Sequence, residues 1–322
     1  TLASLLENNS TIYIKSYGMG SLATTSFRGA SASQTSVLWN GFNLQSPMNG
    51  VLDLALVPVS FVDQLKIQFG GCGALWGSGS VSGSIHLDNK LAYGKGLTNT
   101  YSIGVGSFGN YSPSTSITWS GKKIITSVKG FYVTAANDFT FKNTAQFGEP
   151  TVKQTNAGLE QYGYMLDNYV KLSKKDQLSF RLWQQFSERE IPPTMVILNS
   201  NALQKDWFVR MSSEWQHNRS KVTYNIRIAY FNENLLFQQP SASIDASSQS
   251  KSIIAEAESK VKIGKNGLWN IGINSTYGEA LVDNYNGIPH QNRYAIFSSY
   301  KYSKKSYQVN IGVRLSLIHI SE

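Results

Sequence analysis

The stretch that decides the fold runs from residue 25 to residue 87 and reads TSFRGASASQTSVLWNGFNLQSPMNGVLDLALVPVSFVDQLKIQFGGCGALWGSGSVSGSIHL. Three apolar runs in it predict short strands, at 36–39, 62–69 and 84–87. Glycine turns separate these runs, and Asn40-Gly41 is the clearest because both residue types tolerate a positive φ. The stretch therefore predicts a small α+β unit with tight turns.

The composition of the whole chain favours strands that cross a membrane. The 322 residues are 41% hydrophobic, 12% aromatic and 15% charged, whereas soluble domains carry about 25% charged residues. No apolar run reaches the roughly 18 residues that a membrane helix needs. A transmembrane β-barrel fits this combination, because only every second residue of its strands faces lipid.

The net charge of +9 is spread along the chain. Its densest pairs are Lys122-Lys123, Lys174-Lys175 and Lys304-Lys305, each between two strand-like runs. We interpret them as exposed turn lysines, with attraction to anionic lipid headgroups or lipopolysaccharide as the alternative. A nucleic-acid partner is not expected, because its binding surface would gather the charge on one face.

From about residue 97 the chain becomes a series of runs with a period of two, which predicts strands with one apolar and one polar face. The clearest runs are 222–230 and 307–315. Aromatic residues recur at the strand ends, as in the girdles of membrane barrels. Short connections alternate with longer ones at 137–160, 188–205, 233–250 and 281–291. A soluble β-sandwich would also alternate along its strands, but it has no reason to alternate its loop lengths.

Five sequence blocks in the first ninety residues resemble a known family. They are Arg28-Gly29, the runs 37–41 and 65–67, the glycine-rich run 70–79, and the run 84–87. Their order and spacing are similar to those of the plug domain of TonB-dependent outer-membrane receptors, and five matching blocks are more specific than one glycine motif. Two departures are Phe69-Gly70, where the family often has Arg-Gly, and Asn40, where Asp is usual.

The resemblance implies that the α+β unit is a plug domain, and the strand patterns predict that an antiparallel transmembrane β-barrel follows it. About eleven strands are expected after the plug, and barrels with a plugged lumen have roughly 22 strands. We therefore expect about half of a 22-stranded barrel, as a truncated fragment. The expected domains are an N-terminally incomplete plug at 1–88, a linker at 89–96 and the N-terminal half of the barrel at 97–322.

The resemblance implies an active transporter in the bacterial outer membrane that binds a scarce, large nutrient and passes it to the periplasm. Its implied partners are a TonB-type energy-coupling protein, outer-membrane lipid and lipopolysaccharide, a small-molecule ligand and a surface lipoprotein. The motif that engages the coupling protein is expected upstream of Thr1 and is missing here. A secreted β-rich binding or adhesion protein is the alternative from a different class.

The resemblance also places substrate contacts in two plug loops. The predicted substrate-binding residues are Tyr17, Met19, Ser21 and Leu22 in the first loop, and Leu44, Gln45, Ser46, Met48 and Asn49 in the second. Both loops are uncharged, which suits a large and mostly neutral ligand. A strongly anionic ferric siderophore would favour Arg or Lys there. The alternative is that these loops are only turns that cap the plug.

The segment 189–194, which reads REIPPT, resembles a barrel loop of vitamin B12 receptors together with Gln204-Lys205-Asp206. This likeness and the neutral plug loops put cobalamin first as the cargo. A ferric siderophore or another metal chelate is the alternative.

The resemblance gives the remaining plug positions structural roles. It implies that Arg28 is a plug–barrel contact paired with carboxylates, with a direct role in plug movement as the alternative. The glycines expected to be structural are Gly29, Gly41, Gly77, Gly79 and Gly83.

No catalytic group of residues emerges from the sequence. The four histidines, His86, His217, His290 and His319, are scattered, and no two share metal-ligand spacing. We therefore expect no enzyme, no metal site and no cofactor.

Overall fold

The computed structural model describes residues 1–18, 20–70, 73–197, 199–283 and 287–321. In this part of the chain, no helix is both long and apolar enough to cross a membrane.

The front of the chain forms a small α+β unit. Its elements are α1 (Leu2–Asn9), β1 (Tyr13–Ser16), β2 (Ala23–Ser26), β3 (Thr35–Trp39), β4 (Phe42–Asn43), β5 (Gln64–Phe69), α2 (Gly73–Trp76) and β6 (Gly83–Asp88). Strands β1 and β2 form a hairpin, and a four-stranded sheet has the order β4-β3-β6-β5. Strand β3 is parallel to β6, whereas β5 is antiparallel to it. The three strands predicted in this region are confirmed.

The rest of the chain forms one eleven-stranded antiparallel sheet, called here the wall. Its strands are β7 (Gly96–Val105), β8 (Tyr111–Ser120), β9 (Ile124–Ala135), β12 (Leu159–Lys171), β13 (Asp176–Ile191), β14 (Ala202–Asn218), β15 (Val222–Gln239), β16 (Ile244–Ile263), β17 (Gly267–Val282), β18 (His290–Lys304) and β19 (Tyr307–Ser321). Strands β10 (Thr140–Lys142) and β11 (Thr151–Lys153) form a separate hairpin between β9 and β12. The predicted eleven strands are confirmed. The sheet is open, with β7 and β19 at its two edges.

The two faces of the wall differ as the period of two predicts. In β15, Ile226 and Ile228 are each 52% exposed on the outer face. Their neighbours Arg227 and Ala229 are buried on the inner face. An apolar outer face of this kind is the surface that lipid covers in membrane barrels.

The plug packs against the inner face of the wall through an aromatic belt. We use this name for Trp39, Phe42 and Phe61 of the plug together with Phe131, Trp183, Phe208 and Phe231 of the wall. Ring centroids lie 5.7 Å apart between Trp39 and Trp183, and 5.2 Å apart between Phe61 and Phe131. Aromatic pairs at such distances contribute about 0.5–1.5 kcal/mol beyond area burial. The belt therefore holds the plug inside the wall.

Polar contacts at the end of β6 join the plug to the wall beside the belt. The Asn89 side chain donates to the carbonyl of Phe61 at 2.7 Å and accepts from the Trp39 indole at 3.1 Å. The Tyr169 hydroxyl of the wall donates to the Asn89 carbonyl at 2.7 Å. Asn89 thus fixes the point where the chain leaves the plug.

One predicted loop is wrong. The region 233–250 was expected to be a long loop, but β15 and β16 pair as far as Gln239 and Ile244. Residues 235–237 are three consecutive apolar residues, and 247–250 are four consecutive polar ones, so the alternation that marks a half-buried strand ends before the strands do. The backbone ladder continues because it does not depend on side-chain polarity.

Candidate functional site

Two cavities lie where the plug meets the wall, at the strand ends that the longer connections join. The first, of 280 Å³, lies between the second plug loop and strands β13 to β16. The second, of 400 Å³, lies between the first plug loop, the β10–β11 hairpin and the segment 192–195. The longer connections face outside in outer-membrane barrels, and we call this end of the plug–wall contact the outer mouth.

The structure divides the predicted binding residues between the two cavities. Those that line the first cavity are Leu22, Leu44, Ser46, Met48 and Asn49. Tyr17 and Ser21 line the second cavity, and Met19 lies outside the described residues. That any of them contacts a ligand stays a prediction.

Gln45 is placed differently from its neighbours in the second loop. Its amide nitrogen donates to the carbonyls of Ala32, Ser33 and Thr35 at 3.2–3.3 Å. Its side-chain oxygen accepts from the Asn43 amide at 2.8 Å. These bonds tie the second loop to the body of the plug, and Gln45 does not line either cavity.

Arg28 lies at a different place from both cavities. It is exposed, and its guanidinium carbon lies 5.6 Å from the ring centroid of Phe69, within the plug. Its expected pairing with carboxylates of the wall stays a prediction.

Among the glycines expected to be structural, Gly41 makes the closest approach to the wall. Its φ is +90°, and an added Cβ would collide with the guanidinium of Arg227. Gly29 and Gly77 also have positive φ. A Cβ at Gly79 would meet the Gln45 side chain, and one at Gly83 would lie 2.8 Å from the Gln68 carbonyl.

An ion pair between Arg189 of β13 and Asp53 of the plug joins the wall to the plug between the two cavities. Arg189 Nη1 lies 2.6 Å from Asp53 Oδ2, and both side chains are buried. Arg189 Nη2 lies 3.5 Å from the Asp206 carboxylate. Arg189 also donates to the Gly20 carbonyl at 3.4 Å, and it lines both cavities. The guanidinium therefore connects the wall to the first plug loop and to Asp53 together.

Asp53 was not singled out from the sequence. Its Oδ1 accepts from the amides of Ala23 and Ala55, each at 3.0 Å. One carboxylate thus holds the end of the first plug loop, caps the turn after the second loop and pairs with the wall. A single Asp in a run of leucines carries no local signal of this role, because its partner lies 136 residues away in the chain.

Charges in the first cavity are paired. Besides the Arg189 pair, Arg210 donates to Glu233 at 2.6 and 2.8 Å and lies 3.9 Å from the Phe208 ring centroid. The lining contains two guanidinium groups and three carboxylates, those of Asp53, Asp206 and Glu233. The formal charge of the first cavity is therefore slightly negative, which disfavours a strongly anionic ligand.

Further polar contacts beside the belt join the plug to the wall. Lys129 of β9 forms an ion pair with Asp63 of the plug. The Gln185 amide of β13 donates to the Leu56 carbonyl at 2.8 Å. These contacts fix the height of the plug in the wall.

His86 is the plug group with a clear pKa shift near neutral pH. Burial lowers the pKa of its imidazole, the Asp88 carboxylate opposes this and Lys66 adds to it. Its ring packs against Trp76 at 5.1 Å, and Nε2 lies 2.9 Å from the Ser84 hydroxyl. The described residues contain no group of three His, Cys, Asp or Glu side chains that could hold a metal ion.

Comparison with known proteins gives the class of this fold. The family described as TonB-dependent Receptor Plug Domain matches residues 1–84. The copper transporter OprC superposes with a TM-score of 0.78 at 12% identity, covering 98% of this chain and 51% of OprC. The ferric yersiniabactin uptake receptor FyuA from Yersinia pestis superposes with a TM-score of 0.75 at 13% identity, covering 98% of this chain and 54% of FyuA.

Residues 1–84 therefore match the plug domain of TonB-dependent receptors, and the plug and the wall together share the fold of OprC and FyuA. The chain is also similar to the vitamin B12 transporter BtuB of Vibrio cholerae serotype O1, with 28% identity over 235 residues. The match covers 64% of this chain and 38% of that transporter. The chain thus spans about half the length of the solved structures and less of the sequence relative.

Proposed function

We propose that this chain supplies the plug and part of the barrel wall of a receptor that takes up a large, mostly neutral nutrient, with cobalamin as the first candidate. The observation that carries the proposal is the pair of cavities at the outer mouth, each built jointly by a plug loop and the wall. A ligand there touches both parts, so its binding can change how the plug sits in the wall. The division we propose is a plug at 1–88, a linker at 89–96 and the wall at 97–322.

The charge of the first cavity supports cobalamin over a siderophore. Both guanidinium groups are already paired with carboxylates, at 2.6 Å from Arg189 to Asp53 and from Arg210 to Glu233. A strongly anionic chelate would have to displace these carboxylates or meet their repulsion. A mostly neutral ligand can pack against the loops and accept hydrogen bonds without doing so. The similarity to the Vibrio cholerae vitamin B12 transporter supports the same choice.

A ferric siderophore or another metal chelate is the second candidate. FyuA, which shares the fold, is a ferric yersiniabactin uptake receptor. Two arginines at the mouth would supply the anchors for such a ligand if the carboxylates moved away.

The proposed activity is transport and involves no chemical change of the cargo. The ligand binds from outside and favours the plug position that it contacts best, since a ligand shifts a population only by its differential affinity. The Arg189–Asp53 pair lies between the cavities, so it is the contact that a movement of the plug would change most directly. A TonB-type coupling protein would then supply the energy for movement into the periplasm.

The lipid partners follow from the position of the wall. Four lysines, Lys123, Lys171, Lys174 and Lys175, line a cleft at the edge that carries the short turns. In outer-membrane barrels this edge faces the periplasm, so we propose that these lysines meet inner-leaflet phosphates. Contacts with lipopolysaccharide would then fall to the opposite edge, where a surface lipoprotein could cover the mouth.

Titration with cyanocobalamin tests the proposal. The full-length receptor, purified in detergent, is titrated while its tryptophan fluorescence is recorded. We expect saturable quenching with a dissociation constant on the order of micromolar or lower. The proposal is wrong if cyanocobalamin gives no saturable change and a ferric siderophore does. Glu233→Gln is a useful second protein, because removing one carboxylate should favour an anionic chelate and leave cyanocobalamin little affected.

A further inference from the structure

We propose that the second cavity is a separate subsite that accepts a flat aromatic group of the same ligand whose bulkier part lies over the first cavity. This rests on the proposed function for the identity of the ligand, and it adds the chemistry of one part of that ligand.

The lining of the second cavity is apolar and aromatic on the side of the β10–β11 hairpin. Phe139 and Phe141 lie 6.3 Å apart between ring centroids, and Phe108 packs against Phe139 at 5.8 Å. Met195 and the prolines at 192 and 193 also line the cavity. Phe139 is 39% exposed and Met195 is 45% exposed, so apolar surface remains for a ligand to cover. A volume of 400 Å³ accommodates a bicyclic aromatic group with space to spare.

Buried hydrogen bonds tie the loops around the second cavity to one another. Asn143 is 3% exposed, and its amide donates to the Met195 carbonyl at 3.0 Å, which joins the β10–β11 hairpin to the segment 192–195. The Asn156 amide donates to the carbonyls of Ile191 and Ala202 at 2.8 and 2.9 Å, which closes the base of the same connection. The loops that line the second cavity are therefore held in place before a ligand binds, which reduces the conformational entropy lost on binding.

The plug side of the second cavity is also held closely. Gly20 has a φ of +75°, and an added Cβ would lie 2.6 Å from the Leu159 side chain. The backbone of the first plug loop thus lies directly on the wall at this point. Arg189 bonds the Gly20 carbonyl and Glu190 accepts from the Gly158 amide at 2.8 Å. One guanidinium and one carboxylate line the cavity, so its formal charge is neutral and suits an uncharged ring.

Arg189, the residue common to both linings, indicates that one ligand reaches both cavities. Arg189 lines each of them, and both lie at the same edge of the sheet. The first cavity offers carboxylates and guanidiniums to a polar group, whereas the second offers rings to a flat one. A ligand that consists of a large polar part joined to an aromatic ring would have its linker next to Arg189.

Two ligands that differ by the ring test this division. Cyanocobalamin carries a benzimidazole base, and dicyanocobinamide lacks it. Phe139→Ala and Phe141→Ala should weaken cyanocobalamin binding by about tenfold, because each removes an aromatic anchor. Both should leave dicyanocobinamide binding within about twofold. Phe147→Ala is the matched control, since Phe147 is on the same hairpin and fully exposed, and it should change neither affinity.

A third probe separates the subsite from the identity of the cargo. Benzimidazole alone is tested on the full-length receptor by saturation-transfer NMR. Signals lost in Phe139→Ala and Phe141→Ala but kept in Phe147→Ala support the subsite even if cyanocobalamin does not bind. The subsite is refuted if the variants weaken both cobalamin probes equally, or if they change neither and benzimidazole gives no signal. Heat-modifiable migration in gels confirms that each variant is folded.

Discussion

The aromatic belt and the outer mouth hold the same plug against the same wall by different physics. In the belt, Trp39, Phe61 and Trp183 are at most 1% exposed, and their rings meet edge to face. At the mouth, the contact is a buried ion pair flanked by two cavities and half-exposed loops. Trp39, Phe61 and Trp183 line neither cavity, whereas Asp53 and Arg189 line the first one, so a ligand at the mouth acts more directly on the ion pair. We therefore expect the belt to keep the plug in the wall and the contacts at the mouth to change when a ligand binds.

The largest effect should come from the belt. Trp183→Ala removes a ring that packs against Trp39, Phe61 and Phe208. We expect the plug to lose about 3–5 kcal/mol of stability in its seated position, as for other buried aromatic truncations. Pulse proteolysis of the plug across a urea series measures this loss. Trp119→Ala, at an outward position that is 51% exposed, should shift the midpoint little. Equal shifts in the two variants would contradict the role given to the belt.

Removing the plug carboxylate at the mouth should have the next largest effect. Asp53→Ala leaves Arg189 buried with Asp206 as its remaining partner at 3.5 Å, and we expect a loss of about 2–3 kcal/mol. Asp53→Asn removes the charge but can keep the oxygen that accepts from Ala23 and Ala55, so its cost should be smaller.

A double-mutant cycle between Asp53→Ala and Arg189→Ala reports the coupling by the same proteolysis assay. We expect a coupling of about 1–3 kcal/mol. Additive effects would show that the pair does not join the plug to the wall. Cyanocobalamin should alter this coupling more than it alters the stability lost in Trp183→Ala.

A smaller effect is expected at the contact between the first plug loop and the wall. Gly20→Ala introduces strain at a φ of +75° and a collision with Leu159, so the loop should shift away from the second cavity. We expect cyanocobalamin affinity to fall by about 1 kcal/mol, or roughly fivefold. Adding Leu159→Ala should restore part of it by removing the collision. No recovery in the double variant would show that the backbone conformation accounts for the whole effect.

The smallest expected effect is the pH dependence of plug stability that comes from His86, a residue outside both the belt and the mouth. Burial lowers the pKa of His86 from its ordinary value of 6.5, so the unfolded plug binds a proton more readily than the folded plug. Plug stability should therefore be constant above about pH 7 and should fall as the pH decreases through 6.5. His86→Gln should remove this decrease between pH 7.5 and 5.5 in the proteolysis assay. An unchanged slope would assign the pH dependence to other groups.

Much of the fold could be predicted because it depends on local patterns. The alternation at 222–230 identified β15 and its outward face, and glycine turns such as Asn40-Gly41 identified the plug strands. The ends of β15 and β16 could not be predicted, because three consecutive apolar residues at 235–237 and four consecutive polar ones at 247–250 give no period of two.

The candidate site was predictable only in part. The loops that line the two cavities follow from resemblance to the plug, and their contacts with a ligand stay predictions. The Asp53–Arg189 pair depends on residues that the fold brings together across 136 positions. Gln45 and Ser46 are similar in the sequence, yet Gln45 bonds the plug backbone and Ser46 lines the first cavity. Local sequence does not contain these differences of side-chain direction.

Thiol cross-linking tests most directly that the plug is seated against the inner face of the wall. Gln185 donates to the Leu56 carbonyl at 2.8 Å, whereas its neighbour Gln184 lies on the outer face. In a Cys72→Ser background, Leu56→Cys with Gln185→Cys should be joined by a short bifunctional thiol reagent, and Leu56→Cys with Gln184→Cys should not. After cleavage at a protease site introduced into 89–96 and separation on a denaturing gel, the plug should stay attached to the wall in the first pair alone. Release of the plug from both pairs, or its retention in both, would contradict the account.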